Sequence, residues 1–231
     1  MGALCAFAAY QASRRSIGLA RYFWGLTAIM FLLFVVAQSL ASYDDAFHAP
    51  QSVEWLTNLL FFFLITPLAM ALFLDPVMQP KGFDRLLILD LFQVVLFWLA
   101  GYVYFFYLRS QSEPGTDLVH VVWGPYFGFT GFLALAFFLR SVISKAPVIR
   151  SLFGRLAIFL SLALCADYFY YYGPGKNLST GAWYDIVWIG TNFLFLVLVT
   201  TWKSPPRAPV AGTAVAQPHS SLMIQETPSD G

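Results

Sequence analysis

The chain has 231 residues, of which 59% are hydrophobic and only 11% are charged. A soluble domain carries roughly 25% charged residues, so this composition excludes an ordinary water-soluble protein and indicates an integral membrane protein. The formal net charge is +1, and the basic residues lie between apolar runs rather than in a patch, which argues against nucleic-acid binding.

The N-terminal segment 2–12 is apolar, but it is only about half as long as a membrane span of ~20 residues. Arg14 and Arg15 follow it, and no positive segment precedes it, so it does not have the pattern of a signal peptide. We expect a first helix that begins upstream of this sequence or is truncated. A genuine short interfacial segment is the alternative.

Six longer apolar stretches follow, each long enough to cross the bilayer as a helix. Backbone polar groups in lipid must be satisfied within the segment, which favours helices over open strands. We therefore predict an all-α integral membrane bundle over residues 1–202, with six full transmembrane helices and the short N-terminal one. The predicted spans are 22–42, 55–74, 86–108, 118–139, 152–172 and 182–202. Residues 203–231 are rich in Pro, Ala, Ser and Thr and are expected to be a disordered tail.

The positions of Lys and Arg between the spans predict the orientation. Eleven of the thirteen lie in segments that would share one side, and only Arg109 and Lys176 lie on the other. This asymmetry predicts a multi-pass protein of the inner (plasma) membrane, with the N-terminus outside and the tail in the cytoplasm. The eleven residues are Arg14, Arg15, Arg21, Lys81, Arg85, Arg140, Lys145, Arg150, Arg155, Lys203 and Arg207.

Acidic residues inside apolar spans are energetically costly and usually face a bundle interior, so each is a candidate for function. Asp90 and Gln93 are spaced i, i+3 and share a face near the cytoplasmic end of their helix. Asp167 and Asp185 lie near the outer ends of the last two helices, which are joined by a short loop. Since these helices are antiparallel neighbours, the two carboxyl groups should lie at similar depth.

The last loop is flanked by aromatic residues, including Tyr172, Trp183 and Trp188. Aromatic belts are common at the membrane–water boundary, and carboxylates are favoured near helix N-termini. Asp167 and Asp185 could therefore anchor helices to each other, or line a ligand cavity together with these rings. No spacing of metal ligands, no paired axial haem ligands and no lysine suited to a retinal Schiff base occur, so neither a metal nor a cofactor is expected.

Four stretches together resemble a known kind of membrane region: 21–45, 60–76, 82–108 and 179–202. The most specific pieces are LFLDP (72–76), Asp90 with Gln93, and TGAWYDIVW (180–188) at the start of the last helix. These resemble the N-terminal multi-helix membrane input region of acidobacterial-type sensor histidine kinases and GGDEF diguanylate cyclases. The resemblance implies a sensor module that is followed by a cytoplasmic output domain.

The sequence departs from that pattern after Trp202, because no phosphoacceptor helix, ATP-binding module or GGDEF motif follows. We therefore expect a non-catalytic input module: a stand-alone sensor, a truncated product, or a degraded gene product. Its expected partners are the lipid bilayer and either a second copy or a separate cytoplasmic kinase or cyclase. The alternative is a small transporter or membrane enzyme with a site at the outer mouth near Asp167 and Asp185. Pro67 and Pro125 interrupt two spans, but without the matching repeats typical of transporters.

Overall fold

The computed structural model describes residues 1–47, 51–74, 85–104, 118–172 and 183–203. Within these ranges the regular elements are helical, which confirms the predicted all-α class. The helices are α1 (Gly2–Arg15), α2 (Leu19–Phe47), α3 (Gln51–Phe63), α4 (Thr66–Leu72), α5 (Arg85–Tyr102), α6 (Leu118–Ile143), α7 (Pro147–Tyr172) and α8 (Trp183–Thr200).

Three helices of the described ranges are long and apolar enough to cross a membrane: Leu19–Asp44, Tyr126–Ile143 and Pro147–Phe169. Three further apolar helices fall within the other predicted spans but are shorter: Leu56–Leu72, Phe92–Tyr102 and Ile186–Thr200. The chain is thus a helical membrane protein by the length and composition of its helices. The larger number of six full spans stays a prediction.

The predicted span 55–74 is divided into α3 and α4 by a turn at Leu64 and Ile65. Pro67 causes this break, since it lies in the first turn of α4, lacks an N–H group and disfavours a helical residue before it. The helix restarts with hydrogen bonds from the amides of Leu68 and Ala69 to the carbonyl of Ile65. By contrast, α6 continues through Pro125 without a break.

The short helix α1 is part of the bundle and packs against both α2 and α8. Its buried face consists of small residues: Gly2, Cys5, Ala6, Ala9 and Ala12. Small side chains let helix backbones approach closely in a membrane protein. A Cβ atom on Gly2 would lie only 2.8 Å from the ring of Phe34 on α2, so the contact there is tight.

Two contacts show that α1 and α8 run parallel. Near the start of α1, the thiol of Cys5 lies 3.6 Å from the carbonyl oxygen of Asn192. Just beyond the end of α1, the indole Nε1 of Trp202 donates a hydrogen bond of 2.9 Å to the hydroxyl of Ser16. The separations along the two segments, eleven and ten residues, match in length. The pair α1–α8 is therefore tied at both ends.

The bundle core is mainly aromatic. Phe195 of α8 packs on Phe31 of α2 and Phe159 of α7, with ring centroids 4.4 and 4.9 Å away. A second cluster joins α3, α5 and α6 around Phe62, whose ring lies 5.1 Å from that of Trp98. Edge and tilted contacts between such rings add about 0.5–1.5 kcal/mol per pair beyond the burial of their area. The two clusters hold the helices around a small internal space.

Candidate functional site

A cavity lies inside the bundle where α2, the α3–α4 turn, α6, α7 and α8 meet; we call it the Asp167 cavity. Asp167 lies five residues before the end of α7 and is only 2% exposed. The cavity has an internal volume of about 40 Å³. Since a water molecule needs roughly 10–15 Å³ on this measure, about three water-sized bodies fit.

Three further polar side chains line the cavity: Tyr126 and Thr130 of α6, and Asn192 of α8. Each is less than 10% exposed. Tyr126 and Thr130 are four residues apart, so they share one face of α6. The carboxyl group of Asp167 is near enough to act electrostatically on the phenol of Tyr126. Polar groups from three helices therefore face one small space.

The hydroxyl of Thr130 is the most informative of these groups. It is fully buried and makes no hydrogen bond of normal geometry to a described residue, although the phenol of Tyr126 is near enough to interact with it. Thr191 shows the usual alternative, since its hydroxyl donates to the backbone carbonyl of Val187 at 2.8 Å. A buried polar atom without a partner carries a cost of about 1–3 kcal/mol, which a bound water, ion or ligand would remove.

Aromatic rings form the rest of the wall. Trp188 of α8 is stacked on Phe34 of α2, with ring centroids 6.1 Å apart and planes inclined by 12°. Phe31 and Phe159 line the cavity on the side of the aromatic core. The side-chain amide nitrogen of Asn192 donates to the backbone carbonyl of Trp188 at 2.9 Å, and the amide oxygen remains as an acceptor. That oxygen is 3.9 Å from the thiol of Cys5, a weak donor.

No family model, curated protein or solved structure matches the chain. The likeness to sensor input regions therefore stays a prediction, and the geometry of the cavity is what bears on function. Within the described ranges, no three His, Cys, Asp or Glu residues are grouped in a way that could hold a metal ion.

Of the predicted site residues, the structure brings Asp167 and Trp188 together, since both line the cavity. Three predicted site residues have side chains outside the described residues: Tyr172, Trp183 and Asp185. The pairing of the Asp167 and Asp185 carboxyl groups therefore stays a prediction.

On α5, the side chain of Asp90 also lies outside the described residues. Gln93 is exposed on α5 and does not line the cavity.

Tyr126, Thr130 and Asn192 are not among the site residues predicted from the sequence. The spacing of Tyr126 and Thr130 was a usable signal, because two hydroxyls on one face of an apolar span rarely both face lipid. A charged residue such as Asp167 stands out in a membrane helix, whereas hydroxyl groups do not.

A second polar cluster, which we call the basic-end clamp, consists of Ser16, Trp24, Arg155, Thr201 and Trp202. The Trp202 ring lies 6.0 Å from that of Trp24, and its Nε1 donates to Ser16. The Arg155 guanidinium lies 5.8 Å over the Trp202 ring and donates to the Thr201 hydroxyl at 2.8 Å. Arg155 also donates to the carbonyl of Leu198. The clamp fixes the end of α8 to α1, α2 and α7.

Proposed function

We propose that this chain is a non-catalytic membrane sensor module, in which the Asp167 cavity binds a small ligand and α8 conveys its occupancy to the basic end. One observation carries the proposal: α8 contributes Trp188 and Asn192 to the cavity, and it leads directly into Trp202 of the clamp. A helix rises 1.5 Å per residue, so the ten residues from Asn192 to Trp202 cover about 15 Å.

The proposed topology has six full spans and α1, with the basic ends in the cytoplasm. It is supported by contacts that gather the basic ends of several helices on one side. Arg155 joins α7 to the end of α8, and the Ser141 hydroxyl near the end of α6 donates to the carbonyl of Arg150 on α7. The parallel course of α1 and α8 also fits an outside N-terminus, because α8 is predicted to run from the outside inward.

Cysteine labelling tests this topology in a Cys165→Ser background, which leaves only the fully buried Cys5. Phe47→Cys at the exposed end of α2 should react with a membrane-impermeant maleimide in intact cells. Ser144→Cys, between α6 and α7, should react only after permeabilisation. The reverse pattern would overturn the orientation, and labelling of both in intact cells would overturn the number of crossings between them.

A ligand shifts an equilibrium only if it binds two packings with different affinity. The contacts indicate two pairs of helices whose packing against each other could change. The pair α1–α8 is tied at both ends, and the α6–α7 hairpin carries Thr130 and Asp167. A ligand that contacts both Asp167 and Asn192 would bias how these two pairs meet, and Arg155 lies at their junction in the clamp.

The transmission step can be tested without knowing the ligand. Ala163 lines the cavity, and Ala163→Val adds two methyl groups to it as a substitute for occupancy. A polarity-sensitive fluorophore on Lys203→Cys, again in the Cys165→Ser background, reports on the basic end. We expect Ala163→Val to shift its emission, and Ser161→Val, at an exposed position of the same helix, to leave it unchanged. Equal spectra for both variants would refute transmission through α8.

Transport is a second candidate, favoured by the burial of Asp167 in an intramembrane cavity, since such acids often mark solute or ion pathways. A transporter should carry solute across the membrane of proteoliposomes that contain the purified chain, and Asp167→Asn should abolish that flux. A sensor would show binding without flux. Uptake that is unchanged in Asp167→Asn would exclude the cavity as the transport pathway.

A further inference from the structure

The charges around the cavity indicate what kind of ligand it takes. Asp167 is the one acidic side chain among the described lining residues, and none of these is Lys, Arg or His. Arg140 and Arg155 are engaged elsewhere: Arg140 lies 4.5 Å over the Phe153 ring and donates to the carbonyl of Leu74, and Arg155 belongs to the clamp. An ionised Asp167 would therefore need a counter-charge that is not one of these side chains.

Most of the polar atoms that the lining residues carry are oxygens. Asp167 supplies two, and Tyr126, Thr130 and Asn192 supply one each. The Thr130 hydroxyl makes no hydrogen bond of normal geometry to a described residue, and one N–H of the Asn192 amide is used by the carbonyl of Trp188. Hydroxyl, carboxylate and amide oxygens are the ligands that hard cations prefer.

The volume of the cavity and the number of its oxygen ligands limit which cations it can hold. Divalent ions need more ligands than this lining supplies: Ca²⁺ takes about 6–8 oxygens, and Mg²⁺ demands near-octahedral geometry and usually keeps several waters. The volume of about 40 Å³ accommodates an ion with one or two waters and excludes a bulky organic amine. The aromatic rings of Phe31, Phe159 and Trp188 also line the cavity, and aromatic faces attract cations rather than anions.

We propose that the Asp167 cavity binds one small monovalent cation, of the size of Na⁺ or ammonium, through the oxygens of Asp167, Thr130, Tyr126 and Asn192. This inference rests on the proposed function only in taking the cavity as the ligand site. The cation supplies the counter-charge that an ionised Asp167 needs, and it takes the Thr130 hydroxyl as an oxygen ligand. It also bridges α6 and α7 to α8, which are the elements that the proposed sensor has to couple.

The purified full chain in detergent tests this with three chloride salts at one ionic strength: sodium, ammonium and N-methyl-D-glucamine, whose cation is too large for the cavity. We expect a saturable rise of the unfolding midpoint with sodium or ammonium relative to the third salt. Direct binding of ²²Na⁺, or its displacement by ammonium, should approach one ion per chain. The salt that stabilises at the lower concentration identifies which of the two cations the site prefers.

Matched variants localise the effect. Asp167→Asn should weaken binding by about 10- to 100-fold, because a contact to a charged group is lost, whereas Asp44→Asn at the end of α2 should not. Thr130→Val should weaken it by about 3- to 10-fold and Thr130→Ser should retain it. Thr191→Val is the control, since its hydroxyl is buried but does not line the cavity.

The result that would overturn the inference is the same unfolding midpoint in all three salts, with no ²²Na⁺ bound to protein that elutes as a single folded species. Cation binding that is insensitive to both Asp167→Asn and Thr130→Val would overturn it equally. The sensor proposal fails separately. If the cation binds while the Lys203→Cys reporter ignores Ala163→Val, transmission is wrong and the cation site stands. If the reporter responds while no cation binds, transmission stands and the cation site is wrong.

Discussion

The hydrogen bond between Trp202 and Ser16 should contribute measurably to stability, although 186 residues separate its partners. The Nε1–Oγ distance is 2.9 Å, Ser16 is 4% exposed and Trp202 is 7% exposed. Ser16→Ala removes the acceptor and leaves a buried indole N–H group unsatisfied, which costs about 1–3 kcal/mol. We therefore expect Ser16→Ala to lower the free energy of unfolding by that amount.

A double-mutant cycle isolates the bond from the packing around it. Trp202→Phe keeps an aromatic ring against Trp24 but removes the donor and part of the ring volume. Because the two side chains contact each other, the coupling energy should be at least about 0.5 kcal/mol. Unfolding by SDS in mixed micelles, followed by circular dichroism, measures each variant. Ser39→Ala is the control, since its exposed hydroxyl bonds only the carbonyl of Val35 in its own helix.

A coupling energy close to zero would refute the reasoning. It would mean that the hydrogen bond between the Trp202 indole and the Ser16 hydroxyl adds nothing to stability. The clamp would then not tie α1 to the end of α8. The proposed path from the cavity to the basic end would lose one of its two ties.

Three other substitutions test the packing. Gly154→Ala should cost about 1–3 kcal/mol by overpacking, because its Cβ would lie 2.9 Å from the Ser141 hydroxyl; adding Ser141→Ala should recover most of the loss in thermal unfolding. Gly18 has a φ of +57° and open space around it, so only its backbone conformation matters. Gly18→Ala should lower the free energy of unfolding by about 1 kcal/mol, and Gly18→Asn should lower it by less. Phe195→Ala should cost about 3–5 kcal/mol in SDS unfolding, whereas Phe193→Ala, 60% exposed on the same helix, should cost far less.

Hydrophobic length predicted the helices well because it reflects a strong constraint: backbone groups in lipid have to be paired within a helix. The errors lie at Pro67, which divides the predicted span 55–74, and at the basic ends of the helices. The predicted span 118–139 ends just before Arg140, yet α6 continues to Ile143. The predicted span 152–172 begins just after Arg150, yet α7 begins at Pro147. A helix does not end where charge begins, since a long arginine side chain can carry its charge outward while the backbone stays helical.

The cavity could not be predicted in the same way, because its lining comes from five separate parts of the chain. Apolar spans carry little information about which face points inward, as both the lipid and the core favour the same residues. Asp167 marked its own helix, but nothing in the sequence joined it to Thr130 or Asn192. Only the packing of α6, α7 and α8 brings these groups together.

The proposed transmission through α8 depends on its neighbour α1. The two helices run parallel and are in contact at two levels: Cys5 at the depth of Asn192, and Ser16 at Trp202. A single helix that shifts can bend along its length, whereas two helices in contact at two levels resist bending between those levels and move together. The α1–α8 pair should therefore convey a change at Asn192 to the clamp as a rigid displacement. Arg155, reaching from α7 to Thr201, is the contact at which that displacement would first be felt.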